Sequence, residues 1–140
     1  MKAKLAGICA VLACVMVASV LAARGAPRQK QRLCIVWSSA DPDVAKSTCF
    51  MYALNAKRFN WFDEVHVIVW GPSARLLVKD ESVRAHFNAA RKMGVKMEAC
   101  LLSAKSLGVD QEMKKLGLKV GLMGIPLSAR LKSGWKVITF

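Results

Sequence analysis

Histidine is scarce in this chain of 140 residues, which has two, His66 and His86. His66 falls in a β-branched run and His86 in an amphipathic stretch, places for a satisfied or solvent-facing side chain. A Ser-His-Asp or Cys-His nucleophile therefore lacks a base at the mouth of a site. No CxxC or HxxxH pair is present, which removes the common zinc spacings, and no metal is expected. No Walker loop or GxGxxG follows the first apolar run of the domain, so a nucleotide's phosphates find no glycine cradle and no cofactor is expected. Acid is also short: nine Asp and Glu stand against 22 Lys and Arg, for a net charge of +13. Such an excess raises the question of an anionic partner. Nothing repeats at a solenoid period, and the length excludes a large multidomain enzyme. With 54% hydrophobic and 22% charged residues the chain is not disordered, and it predicts one domain with a real core.

What is present begins with a segment to set aside. Lys2 and Lys4 precede an apolar run over residues 5–23, followed by Arg24-Gly25-Ala26-Pro27. This pattern reads as an export signal, with Val20-Leu21-Ala22 suited to signal-peptidase cleavage, and places the protein in the periplasm or outside the cell. The alternative is an uncleaved anchor in the inner membrane: the run is long enough to span a bilayer, and Arg24, Arg28, Lys30 and Arg32 put more positive charge after it than before it. Val11-Leu12-Ala13-Cys14 is a poor lipoprotein box, because apolar residues continue past Cys14. The organisation is then residues 1–23 as signal or anchor, 24–32 as a basic linker and 33–140 as the domain. Removing 1–23 takes away two lysines and no acid, so the basicity belongs to the domain. Its lysines are scattered and an exported chain would not meet nucleic acid, so no nucleic-acid partner is expected.

From Leu33 onward, apolar runs alternate with amphipathic ones. Leu33-Cys34-Ile35-Val36-Trp37 has the unbroken apolar character of a parallel strand covered on both faces. Asp41 and Pro42 open a helix to about Arg58, as N-cap and first helical residue. A second strand over 64–70 stops at Gly71-Pro72. A short turn over 74–79 and a helix to Lys92 follow, the latter with Val83, Phe87 and Ala90 in one stripe and acids in its first turn. Residues 95–100, 118–123 and 136–140 complete five strands, with short helices over 111–116 and 126–132. The pattern predicts an α/β fold with a mostly parallel five-stranded sheet and helices on both faces. In such sheets ligands and reactive groups gather beyond the carboxyl ends of the strands.

Of the five cysteines, Cys9 and Cys14 lie in the leader, while Cys34, mid-strand, and Cys49, within the first helix, suit small buried hydrophobes. Cys100 differs, because it ends a strand and runs into Leu101-Leu102-Ser103-Ala104-Lys105. If a helix starts there, its N–H groups and Lys105 both favour the thiolate; a buried thiol ending the strand is the alternative.

Val36-Trp37-Ser38-Ser39-Ala40-Asp41-Pro42, Asn55-Ala56-Lys57, Glu64-Val65-His66-Val67-Ile68-Val69-Trp70-Gly71-Pro72-Ser73, Gly94-Val95-Lys96-Met97-Glu98-Ala99-Cys100, Leu107-Gly108-Val109 and the tail from Gly124-Ile125-Pro126-Leu127 to Thr139-Phe140 together resemble the DsrE family. The resemblance covers nearly all of residues 33–140. It implies a three-layer α/β/α domain forming homo-oligomers or hetero-oligomers with DsrE-like subunits, and a strand-end cysteine, here Cys100, that carries sulfur as a persulfide between a donor and an acceptor protein. Relatives often have a second cysteine where this chain has Ser103, so Cys100 acts alone. The implied function is a sulfur carrier or sulfurtransferase-type relay, with Ser38, Ser39, Trp70, Ser73, Ser103 and Lys105 at the rim of its site. The alternative is a non-catalytic oligomeric module whose rim, with Trp37, Ser38, Ser39, Trp70 and Ser73, binds a small ligand or partner.

Overall fold

Five short strands pair side by side in one direction: β1 (Arg32–Trp37), β2 (Glu64–Val69), β3 (Lys96–Cys100), β4 (Lys119–Gly121) and β5 (Lys136–Thr139). They form one sheet in the order β4-β3-β2-β1-β5, and every pairing is parallel. The computed structural model describes residues 28–140. The signal or anchor reading of residues 1–23, and the first part of the 24–32 linker, lie outside the described residues. The helices are α1 (a π-helical first part, Val44–Phe50, continuing as the α-helix Met51–Arg58), α2 (Ser73–Lys79), α3 (Glu81–Lys92), α4 (Leu101–Ser106), α5 (Asp110–Lys115) and α6 (Gly124–Lys132).

The strand order decides which face each helix covers. The chain steps from β1 to β2 to β3 to β4 in one direction, so right-handed crossovers put α1 to α5 on one face. From β4 it returns past β1 to β5, the opposite direction, and the same handedness puts α6 on the other face. On the first face Leu33, Ile35, Trp37, Val65, Val67 and Val69 meet Phe50, Leu77, Val83, Phe87 and Met113 in one dry core. Trp37, Phe50 and Phe87 form its aromatic spine, with edge-to-face contacts at 4.9 and 6.0 Å. The second face holds a smaller cluster, Cys34, Ile68, Cys100 and Met123, with Trp70, Leu127, Trp135 and Val137 packed against it.

Local signals set the boundaries. Asp41 Oδ1 accepts from the N–H groups of Asp43 and Val44 at 2.7 and 3.3 Å, so it caps the helix that Pro42 opens. The sequence predicts an ordinary α-helix from there to Arg58, yet its first part is π-helical. The wider turn brings the consecutive Cys49 and Phe50 both into the core. Asp80 caps α3 by accepting from Val83 N at 3.0 Å, and its stripe of Val83, Phe87 and Ala90 is buried. The fourth strand is shorter than its 118–123 expectation, because the chain turns at Leu122 into α6, which begins two residues ahead of Pro126.

Candidate functional site

Cys100 is the last residue of β3 and the N-cap of α4, with extended backbone (φ −74°, ψ 117°). Its side chain falls on the second face, in line with Glu98 two residues earlier, and is 4% exposed. Burial works against its thiolate. Against burial stand the N–H and hydroxyl of Ser103, the N–H of Leu102 and the N–H of Met123, which together hold the thiol below its ordinary value. They come from two directions, the first turn of α4 and the start of α6.

The other described cysteines are also free thiols, and both are shifted in the opposite direction. Burial pushes Cys49 up to about 12. Burial also raises Cys34, against the partial relief of the Arg130 guanidinium, whose Nη1 is 3.8 Å from its sulfur. One of the three thiols is thus biased toward the nucleophilic form.

Beneath Cys100 on the same face lies a buried charged cluster. Arg130, from α6, donates Nη2 to Glu98 Oε2 at 2.5 Å and stands 2.9 Å from His66 Nδ1, which is 3.5 Å from Glu98 Oε2. Arg130 and Glu98 side chains are 11% and 10% exposed. Burial raises the Glu98 carboxyl, but the hydrogen bonds of His66 and Arg130 outweigh it and hold the group down at about 2. Trp135 closes the cluster, edge-on to His66 at 4.8 Å and under the Arg130 guanidinium at 5.3 Å. Since α6 buries none of its own residues fully, this cluster and Leu127 are what fasten it to the sheet. Fastening α6 is also what holds Met123 N–H against Cys100.

The rim residues expected from the sequence divide. Ser103 is at Cys100, and Trp70 packs against the cluster that contains it. Lys105 is exposed, and the groups that lower the Cys100 thiol are N–H and hydroxyl donors rather than its ammonium. Ser73 is fully buried: its hydroxyl donates to Trp37 O at 2.6 Å and accepts from Trp70 N at 3.2 Å, strapping β1 to β2. Trp37 is a core residue, 0% exposed, and not a rim residue. Ser38 and Ser39 lie where the strand order reverses between β1 and β5, and their N–H groups are taken by Phe140 O at 2.7 and 3.1 Å. That crevice is closed by backbone, two strands from Cys100. The sequence gives no site role to Glu98 or Arg130, reads His66 as a satisfied or solvent-facing side chain and Met123 as the end of a strand; an isolated acid inside the apolar strand over 95–100 is the one local signal. Among the described residues no group of three or more His, Cys, Asp or Glu could hold a metal ion.

No match was found among curated proteins. A solved structure of a conserved protein of unknown function, BT1422 from Bacteroides thetaiotaomicron, is 33% identical with a TM-score of 0.75, over 79% of this chain and 95% of that one. The DsrE/DsrF-like family model matches residues 31–140, almost the whole of the described fold. The chain belongs to the DsrE/DsrF-like family.

Proposed function

We propose that the protein is a sulfur carrier that holds sulfur on Cys100 and acts by thiol exchange without metal or organic cofactor. The observation that carries this reading is the place of Cys100 at the end of β3 and the start of α4, where the Ser103, Leu102 and Met123 donors favour the thiolate despite burial. The Cys100 thiolate attacks the outer sulfur of a donor hydropersulfide, R–S–SH. A sulfur–sulfur bond forms at Cys100, the donor's sulfur–sulfur bond breaks, and the electron pair leaves on the donor thiolate R–S⁻. An acceptor thiolate then attacks the outer sulfur and Cys100 departs as thiolate, so no oxidant or reductant is consumed. With Ser103 three residues on, α4 offers no second thiol to close a disulfide with Cys100. The donor, the acceptor and DsrE-like partner subunits belong to the compartment to which residues 1–23 direct the chain, periplasmic or at the inner membrane.

A second reading, an oligomeric binding module without sulfur chemistry, is favoured by the 4% exposure of Cys100. One experiment separates them. The protein and its Cys100→Ser variant are treated with a small persulfide donor and mapped by non-reducing peptide mass spectrometry. The relay requires a 32-Da increment on the Cys100 peptide that passes to an added thiol, roughly the mass of one sulfur atom. A folded protein whose Cys100 stays unmodified is a binding module.

A further inference from the structure

The charges of the domain are sorted by direction. Five parallel strands all begin at one pole, and the helices that link them run back to it, so strand starts and helix ends share that pole. The sequence places basic residues at both. Lys57 and Arg58 close α1, Arg91 and Lys92 close α3, and Lys114 and Lys115 close α5. Lys96, Lys119 and Lys136 open β3, β4 and β5, all three exposed. Arg28, Lys30 and Arg32 lead into β1.

Contacts tie these elements together at the pole. Lys57 Nζ donates to Asp63 O at 3.0 Å, Arg28 lies 3.9 Å from Asp63, Lys96 lies 3.8 Å from Glu64, and Arg91 Nη1 donates to Leu116 O at 2.7 Å. Asp63 and Glu64 are the acids of this pole. Most others, Asp41, Asp43, Asp80, Glu81, Asp110 and Glu112, stand at helix starts, toward the Cys100 end. Helix dipoles account for acids at helix starts and bases at helix ends. They do not account for lysines at three strand starts, of which Lys119 and Lys136 have no ion pair among the described residues.

We propose that this pole docks on an anionic phospholipid surface. Basic groups gathered on one side within a Debye length of the bilayer, about 10 Å at 0.1 M salt, act together there. The chain enters β1 from the same pole, so the apolar run over residues 5–23, placed in a membrane, brings this pole rather than Cys100 to the headgroups. The sulfur site then faces away from the bilayer, toward the aqueous compartment. The docking surface does not depend on the sulfur chemistry.

The test measures partition of the full chain onto vesicles of phosphatidylcholine alone and with roughly 30% phosphatidylglycerol, at low and high salt. The zwitterionic vesicles report what residues 5–23 contribute; the excess on anionic vesicles reports the pole. We expect an excess of about tenfold at low salt that collapses in high salt. The triple variant Lys92→Glu, Lys119→Glu, Lys136→Glu removes most of it, while Lys46→Glu, Arg75→Glu, Lys79→Glu, equal in charge but at the other end, leaves most of it. Should the first variant fail to melt cooperatively, the Gln versions replace it. Equal partition onto both vesicle types, an excess that survives the first variant, or equal losses in both variants overturns the proposal. So does tighter salt-dependent binding to duplex DNA or RNA than to anionic vesicles, which would make the pole a nucleic-acid surface.

Discussion

The two faces of one sheet are built differently. The first face is closed by five helices over a continuous apolar core with its aromatic spine of Trp37, Phe50 and Phe87. Among the described residues the second is covered by α6 alone, carries four fully packed residues and contains a buried Arg, Glu and His where apolar side chains would serve stability as well or better. The difference separates two tasks. The first face supplies the hydrophobic stabilisation of the fold, and the second gives up part of that to hold α6 in one register, so that an N–H from its start reaches Cys100. A site made from two elements is only as fixed as the weaker of them.

The most direct way to break this comparison is to cut both faces equally. Phe87→Ala on the first face removes a side chain that is 0% exposed and is expected to cost about 3–5 kcal/mol in urea unfolding. Leu127→Ala on α6 removes a half-buried side chain and is expected to cost about half as much or less. Equal losses would mean that the second face contributes to global stability as the first does.

The second test sharpens the role of the charged cluster. Arg130→Ala leaves Glu98 buried without its cation and is expected to cost about 3 kcal/mol at neutral pH, near the low end for a broken buried pair. Replacing both, as Arg130→Met with Glu98→Gln, is expected to cost less than Arg130→Ala alone. The pH dependence follows from the Glu98 carboxyl, held at about 2 in the fold against 4.5 ordinarily. Because the folded value is depressed, its stabilisation is fully present above pH 4.5 and is lost as pH falls toward 2. The loss amounts to about 3 kcal/mol if the whole shift is expressed. Unfolding measured across that window should show the loss in the protein and a much smaller one in Arg130→Ala. Parallel curves for the two would show that Arg130 is not what holds the carboxylate ionised.

The parts of this arrangement that could be read along the chain are those with local causes. Asp41 and Pro42 mark a helix start wherever they occur before an amphipathic run, the spacing of Val83, Phe87 and Ala90 marks a buried stripe, and the apolar runs at β1 and β2 mark covered strands. The parallel sheet follows from their alternation. Neither the lone position of α6 nor the cluster beneath it has a local cause. His66, Glu98 and Arg130 come together because parallel register sets β2 beside β3 and because the chain reverses direction after β4. Glu98 stands out as an acid inside an apolar strand, but His66 and Arg130 are unremarkable among their own neighbours in sequence, so His66 reads as a satisfied or solvent-facing residue. Ser73 and Trp37 show the converse. Their position after or at a strand end suggests a rim, but the hydroxyl of Ser73 is spent on Trp37 O and Trp37 turns into the aromatic spine. Position at a strand end is legible; which face the side chain takes, and what already occupies it, is settled by packing.

The smallest effect is the most specific to the site. Ser103 gives Cys100 both an N–H and a hydroxyl, and Ser103→Ala removes the hydroxyl alone while keeping α4 and the backbone donors. Loss of one such hydrogen bond, about 1 kcal/mol, raises the thiol. Because alkylation follows the thiolate fraction, the midpoint of the iodoacetamide rate against pH should move to higher pH, and the rate at neutral pH should fall about fivefold. Global stability should stay within about 0.5 kcal/mol, as for other exposed or half-buried positions away from the core. Arg130→Ala, acting only by loosening α6 and the Met123 N–H, should move the same midpoint in the same direction while also lowering stability. A midpoint that shifts with Ser103→Ala but not with Arg130→Ala would place the whole effect in the first turn of α4, and the second face would then owe its buried charges to something other than the thiol.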